Sequence, residues 1–323
     1  MEYEFYILSR YLFLKIERTY SAIVEKSGVT LPQLRVLWII NAFPGVNSSM
    51  ISKAGCWTRP TVTNIIKILL AKQLVERDAS PNKKSKSLHL TRSGFNVINL
   101  NKQTNNSSFP LLKLLSISDR TDLRKLIEIY KHTALKSKNS FILNYIEKLN
   151  SLSLKIEYQS FADEDRPKLK SLVELYNLLR IFVLTVENEH SLLLKDMNLT
   201  YPQMRALKII NSFKGITSLQ LSEMALWSPS SANLVVNNLY KKELIYKDKG
   251  SVKNSLHMYT TGRAEEIIKK DVDENINKIG TLHLLDEVPD EKLKQLNKLL
   301  HYLNEEVNNH MVVEFIERLY PVQ

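Results

Sequence analysis

Apolar residues recur at the helical interval in two stretches that match each other. Val62, Ile65, Ile66 and Leu69 fall at i, i+3, i+4 and i+7, as do Ala232, Val235, Val236 and Leu239. Each stretch therefore predicts an amphipathic helix with one face in a core and the other free. Thr58 and Ser228 precede these helices as N-cap residues, and Pro60 and Pro229 lie in the first turn, where a missing N–H is no loss. Upstream, Thr30-Leu-Pro-Gln33 and Thr200-Tyr-Pro-Gln203 have the capping-box form and open a helix predicted to end at Gly45 or Gly215. A shorter helix is predicted between them, around Ser48 to Ala54 and Ser218 to Ala225. From Leu74 to Thr91 the pattern changes to β-like alternation around Ser80, Pro81 and Asn82, which predicts a hairpin.

The correspondence is an internal repeat. Leu31 to Gly45 aligns with Tyr201 to Gly215, and the offset of about 170 continues ungapped through Leu74 and Leu244 with about a third of the positions identical. Further on, Ser87-Leu-His-Leu-Thr-Arg-Ser-Gly94 is similar to Ser255-Leu-His-Met-Tyr-Thr-Thr-Gly262, which implies a turn two residues shorter in the second copy and makes His89 equivalent to His257. Helix, helix, helix, hairpin is the order of a winged helix-turn-helix module. Amphipathic stretches at residues 3 to 27, 109 to 158, 168 to 195 and 265 to 318 predict long flanking helices. The acidic segment Phe161 to Pro167 is the predicted boundary, giving halves of residues 1–160 and 161–323 with winged-helix cores at about 30–95 and 199–263. The expected fold is mainly α with small β-hairpin wings: two winged helix-turn-helix modules flanked by long helices and related by a pseudo-two-fold.

Composition sharpens this. With 44% apolar and 24% charged residues the chain reads as an ordinary globular protein, and with no apolar run of membrane length and no basic leader it is expected in the cytoplasm. One cysteine, Cys56, leaves no internal disulfide framework and no multi-cysteine metal site. Eight glycines, none in a phosphate-binding loop, and no HExxH or GxSxG motif argue against an enzyme and against a cofactor. The net charge of +11 points to a polyanionic partner. Residues 1–160 carry 24 basic and 11 acidic side chains, and residues 161–323 carry 21 and 23. Within the second half, residues 199–263 still hold 9 basic against 3 acidic.

The free faces supply the candidate chemistry. In the first copy Thr58, Arg59, Thr61, Thr63, Asn64 and Lys67 mix groups able to reach base edges and phosphates. Arg77, Lys83, Lys84 and Lys86 lie on or near its hairpin. The second copy offers Ser228, Ser230, Ser231, Asn233 and Asn237, with Lys247, Lys249 and Lys253 on the hairpin. Trp57 and Trp227 are expected as core anchors, Cys56 as a small packed residue, and Glu187, Glu189 and His190 as an exposed helix face rather than a metal site.

Two segments carry a family resemblance: Thr61-Val-Thr-Asn-Ile-Ile-Lys-Ile-Leu-Leu-Ala-Lys-Gln-Leu-Val75, and Pro81 to Gly94 with its Leu-Thr-x-x-Gly. In them the sequence resembles the MarR family of bacterial regulators, and within it the SarA and Hpr/ScoC-like members. Gln73 and Glu243 stand where that family usually has Gly. The resemblance implies a sequence-specific regulator of transcription, expected to repress, with double-stranded DNA as partner. Because both halves are in one chain, it implies a monomer acting as a pseudo-dimer, its major-groove contacts ~34 Å apart. Unequal reading faces imply an asymmetric or imperfectly palindromic operator. Any small-molecule effector would bind at the junction of wings and long helices. Competing readings are a plasmid or phage replication initiator with tandem winged helices, and a protein-interaction scaffold built on degenerate ones.

Overall fold

The computed structural model describes residues 1–78, 87–104, 121–136, 144, 148, 165–249 and 256–307. Helix α1 (Glu2–Val24) leads into the first module: α2 (Leu31–Ala42), α3 (Ser48–Gly55), α4 (Arg59–Ala71) and the hairpin β1 (Val75–Arg77) with β2 (Leu88–Leu90). Helices α5 (Arg92–Thr104) and α6 (Thr121–Lys136) follow. Then α7 (Asp165–Leu193) leads into α8 (Tyr201–Ser212), α9 (Ser218–Met224), α10 (Pro229–Lys241) and the hairpin β3 (Ile245–Lys249) with β4 (Leu256–Thr260). Helices α11 (Gly262–Lys270), α12 (Gly280–His283) and α13 (Asp290–Glu306) complete it. Among the described residues the fold is thus mainly helical with two small antiparallel hairpins, each belonging to a winged helix-turn-helix. Among the described residues no helix is long and apolar enough to cross a membrane.

The hairpins correct the alignment of the repeat. Arg77 pairs with Leu88 in one hairpin and Lys247 with Met258 in the other. Val46 bridges to Leu88, as Ile216 does to Met258. Thr91 caps α5 by accepting from the Gly94 N–H, and Thr261 caps α11 by accepting from that of Ala264. All these pairs keep the offset of 170, so the two wings are equal in length and His89 corresponds to Tyr259, not His257. The Ser-Leu-His similarity is out of register by two residues. A two-residue shift leaves side chains on the same face of a strand, which is why the alternation alone did not expose it.

Several helix boundaries also differ from expectation. Helices α2 and α8 stop at Ala42 and Ser212, and the chain then turns at Gly45 and Gly215, whose φ values of 81° and 83° suit glycine. Helix α7 begins inside the predicted boundary segment, with Pro167 in its first turn, where proline is tolerated. The stretch 265–318 is not one helix. It breaks through a π-helical turn at Asp271–Asn275, and Pro289 precedes the next long helix. Of the stretch 109–158, the helix α6 is described and most of the remainder lies outside the described residues.

Helices α4 and α10 end the same way. Leu74 N–H bonds to Leu69 O at 3.0 Å and Leu244 N–H to Leu239 O at 3.1 Å, a closure that places Gln73 and Glu243 in the left-handed region at φ 55° and 57°. These are the two positions where the resembled family usually has Gly.

Packing groups the chain into two compact units, Met1–Lys15 with Val183–Gln323, and Ile16–Phe182. The division falls within α1 and within α7. In the unit Ile16–Phe182 the core gathers Val24, Leu34, Leu37, Ile40, Val62 and Leu69, and Tyr20 stacks on Trp38 with ring centres 6.2 Å apart. In the other unit Phe5, Leu8, Leu12, Val186, Leu207 and Leu300 are buried, but the counterparts of Tyr20 and Trp38 are His190 and Lys208. These two converge on the buried Asp271: Lys208 Nζ lies 2.7 Å from one carboxylate oxygen and His190 Nε2 2.8 Å from the other. Asn275 donates to Asp271 at 3.1 Å, and Lys208 also donates to the Tyr3 hydroxyl at 3.1 Å. Glu187 and Glu189 are engaged too, on Arg10 and on Thr281. The expected exposed helix face is therefore only half-exposed at Glu187 and Glu189, and His190 is buried, because the π-helical turn brings Asp271 inward against it.

Burial opposes the Asp271 carboxylate, yet the hydrogen bond from His190 and the charge of Lys208 outweigh it and hold its pKa down at about 2. A depressed carboxylate stabilises the fold above its unfolded value near ~3.9, and that stabilisation is lost as pH falls towards the folded value. Asp271→Asn should lower stability at neutral pH by about 3 to 5 kcal/mol, since Lys208 is left buried without a counter-charge. It should also flatten the acid limb of the melting-temperature profile; an unchanged limb would show that Asp271 does not titrate with folding. Separately, Gln73→Gly and Glu243→Gly should each raise stability by about 0.5 to 1 kcal/mol by relieving left-handed backbone, read as a higher urea midpoint.

Candidate nucleic-acid interface

Each reading helix is built by the same local rules. Thr58 Oγ1 accepts from Thr61 N–H at 3.4 Å and Ser228 Oγ from Ser231 N–H at 3.2 Å, which satisfies orphan donors and fixes where α4 and α10 begin. Val62, Ile65, Ile66 and Leu69 turn into the core, as do Ala232, Val236 and Leu239, with Val235 half-buried. The opposite faces are open. Thr58, Arg59, Thr61, Thr63, Asn64 and Lys67 are exposed, and so are Ser228, Ser230, Ser231, Asn233 and Asn237. At the far end Lys72 Nζ donates to Gly28 O at 2.6 Å, and Lys242 makes the matching bond to Asn198 O, so each helix is tied to the turn that precedes its module.

Of the hairpin cations, Arg77 is exposed on β1, and Lys247 is half-exposed on β3 with its ammonium 5.3 Å from the centre of the Tyr240 ring. Lys249 ends β3. Lys83, Lys84, Lys86 and Lys253 lie outside the described residues. Histidine has a packing role here: His257 Nδ1 is 2.6 Å from Gly215 O, and His89 Nε2 is 3.4 Å from Asp78.

Sequence reasoning missed what sits behind the reading helices. Arg180 on α7 donates to Gly55 O at 2.6 Å, with its guanidinium 5.3 Å from the Trp57 ring centre. In the other unit Arg205 on α8 donates to Ala225 O at 2.7 Å and sits 5.1 Å from the Trp227 ring centre. Trp57 and Trp227 are half-buried shelves for arginine rather than plain core anchors. Gly55 is needed for this: a Cβ there would meet the Trp57 ring at 2.2 Å. Both arginines are buried, and burial followed by a neighbouring arginine (Arg35 or Arg10) lowers their pKa values. Burial likewise pushes up the pKa of the Cys56 thiol, the opposite of what a reactive thiolate needs.

The arginines trade roles between units. Position 35 corresponds to 205, 10 to 180, and 17 to 187. In the unit Ile16–Phe182, Arg35 from α2 grips Glu17 at 2.7 Å, and the α7 arginine takes the carbonyl. In the other unit Arg10 from α1 grips Glu187 at 2.6 Å, and the α8 arginine takes the carbonyl. Tyr176 joins the first ion pair and Tyr6 bonds to Tyr201 in the second unit.

Residues 29–85 match the family model described as MarR family. In this segment the chain is similar to the MarR-family domain. The segment covers α2 to α4 and β1 of the first module. Solved MarR-type structures are similar at low identity. The transcriptional regulator SlyA has a TM-score of 0.36 at 16% identity, covering 42% of this chain and 92% of that one. The reduced form of MarR from E. coli has 0.34 at 15%, covering 39% and 93%. FabT of Streptococcus pneumoniae in complex with DNA has 0.33 at 16%, covering 38% and 88%. No curated protein matches the sequence.

If the buried arginines position the reading helices, Arg180→Ala and Arg205→Ala should each cost about 1 to 3 kcal/mol by leaving a buried carbonyl unpaired. Hydrogen exchange should accelerate at the start of the adjacent reading helix. Unaltered exchange at residues 57–62 or 227–232 would remove the arginine from that role.

Proposed function

We propose that this chain is a DNA-binding transcriptional regulator, expected to repress, that carries two MarR-type reading heads in one polypeptide and acts as a single-chain pseudo-dimer. The observation that carries the reading is the repeated N-capped helix with an open polar face, held from behind by an arginine on a tryptophan. Under this reading each α4-type helix enters a major groove, and the halves 1–160 and 161–323 take the places of two subunits. Arg59 and Lys67 reach phosphates or guanine edges, while Thr61, Thr63 and Asn64 complete the first reading face. Ser228, Ser230, Ser231, Asn233 and Asn237 form the second. Arg77, Lys83, Lys84 and Lys86, with Lys247, Lys249 and Lys253, lie along the backbone beside the wings.

The two heads are chemically unequal, so the operator is asymmetric or imperfectly palindromic and the first half dominates affinity. Selection of bound fragments from random DNA, followed by footprinting, tests this: a perfect palindrome with equal half-sites would count against it. Arg59→Ala with Lys67→Ala should weaken binding more than Asn233→Ala with Asn237→Ala. It should also reduce the slope of log affinity against log salt by about two, as expected for two lost phosphate contacts. Equal losses from both pairs would overturn the assignment of the dominant head.

A further inference from the structure

The outer face of α10 carries an exposed leucine that the polar reading does not use. Ser230, Asn233, Leu234, Asn237 and Lys241 lie at i, i+3, i+4, i+7 and i+11, a stripe directly opposite the buried Ala232, Val236 and Leu239. Leu234 sits in the middle of it and is 65% exposed. Its counterpart in α4 is Asn64. An isolated exposed leucine is ordinary on a protein surface; one at the centre of a helix face that otherwise carries only small or polar groups is an apolar contact held ready among hydrogen-bonding ones. Its neighbour is fixed in a complementary way. The Ser218 hydroxyl donates to Asn233 Oδ1 at 2.6 Å, which engages one acceptor site of the carboxamide and leaves its amide N–H groups to donate.

In the major groove one base combines an apolar group with an acceptor: thymine, with its 5-methyl group and O4. We infer that Leu234 reads a thymine methyl, making the second half-site thymine-dependent at a position where the first module, with Asn64, reads hydrogen bonds. The inference rests on the DNA-binding reading above and supplies specificity to its second head: at this position apolar contact takes the place of the hydrogen bonds that Asn64 offers in the first. Leu219, next to Ser218, is also exposed at 60%, so an apolar protein surface is the competing occupant.

Uracil in place of thymine deletes the methyl group alone, which makes the test direct. The full chain is used to select a site, and the half-site under α10 is identified as the one whose footprint survives Arg59→Ala with Lys67→Ala. Each thymine in it is then replaced by uracil. The wild-type chain should lose about fourfold in affinity at one position, the worth of about one buried methyl group. Leu234→Ala should bind thymine and uracil forms equally, and Leu234→Asn should lose the thymine preference as well. Uracil tolerated at every position, or the same loss persisting in Leu234→Ala, overturns the inference while leaving the DNA reading intact. If no sequence is selected, the DNA reading falls and this inference with it. Full thymine sensitivity retained in Leu234→Ala while association with a protein partner is lost would assign the residue to the protein surface instead.

Discussion

A guanidinium that has lost its water must find acceptors, and in both modules it finds the carbonyl that closes the helix before the reading helix. Arg180 holds Gly55 O and Arg205 holds Ala225 O, each lying against the tryptophan that follows two residues later. The next residue in each copy is the N-cap of the reading helix, Thr58 or Ser228. A charged donor to a buried carbonyl is among the stronger hydrogen bonds a protein makes, and its loss strands both partners. The pose of the outward face is therefore braced by a contact that lies entirely on the inward side. Capping, the core stripe and the lysine tie at the far end refine that pose without replacing it.

The trade of roles between arginines shows how little of that geometry is dictated by any one residue. Glu17 and Glu187 each need one cation, and each carbonyl needs one donor, but the helix that supplies each differs between units. Two donors and two acceptors confined to the same space can be paired in two ways with the same number of bonds. The repeat has settled on both. Divergence in the interior has gone further still where Tyr20 and Trp38 are replaced by His190 and Lys208, because a buried lysine beside a buried imidazole is tolerated only with Asp271 to receive both.

Much of the module was legible in the sequence because its signals are local. Thr-x-x-Gln boxes, Thr58 and Ser228 as caps, and the 3.6-residue stripe act within one turn of helix, and each appears where periodicity placed it. What failed was non-local. The wing alignment followed a run of similar residues, Ser-Leu-His, whereas the register is decided by bridges from Val46 and Ile216 that no nearby residue announces. His190 and Glu187 looked solvent-facing because the residue that buries His190 lies some 80 positions away, on a turn whose π-helical winding has no clear sequence mark. Arg180 and Arg205 were invisible for the same reason: a buried arginine is recognised by its acceptor, and here the acceptor is backbone. For the reading faces, the sequence located the exposed polar residues but passed over Leu234, since a leucine beside a core stripe reads as core until its exposure is known.

The division of packing within α1 and α7 has a consequence for how the chain can come apart. Residues 1–15 pack with residues beyond 182, and residues 165–182 pack with those that begin at Ile16. A break anywhere between residues 137 and 164 would therefore yield two fragments, neither of which contains a whole unit. Each would hold a strap belonging to the other's core, so the pieces are complements rather than domains. Doubling the module in this way has made the second copy dispensable neither to its own core nor to that of the first.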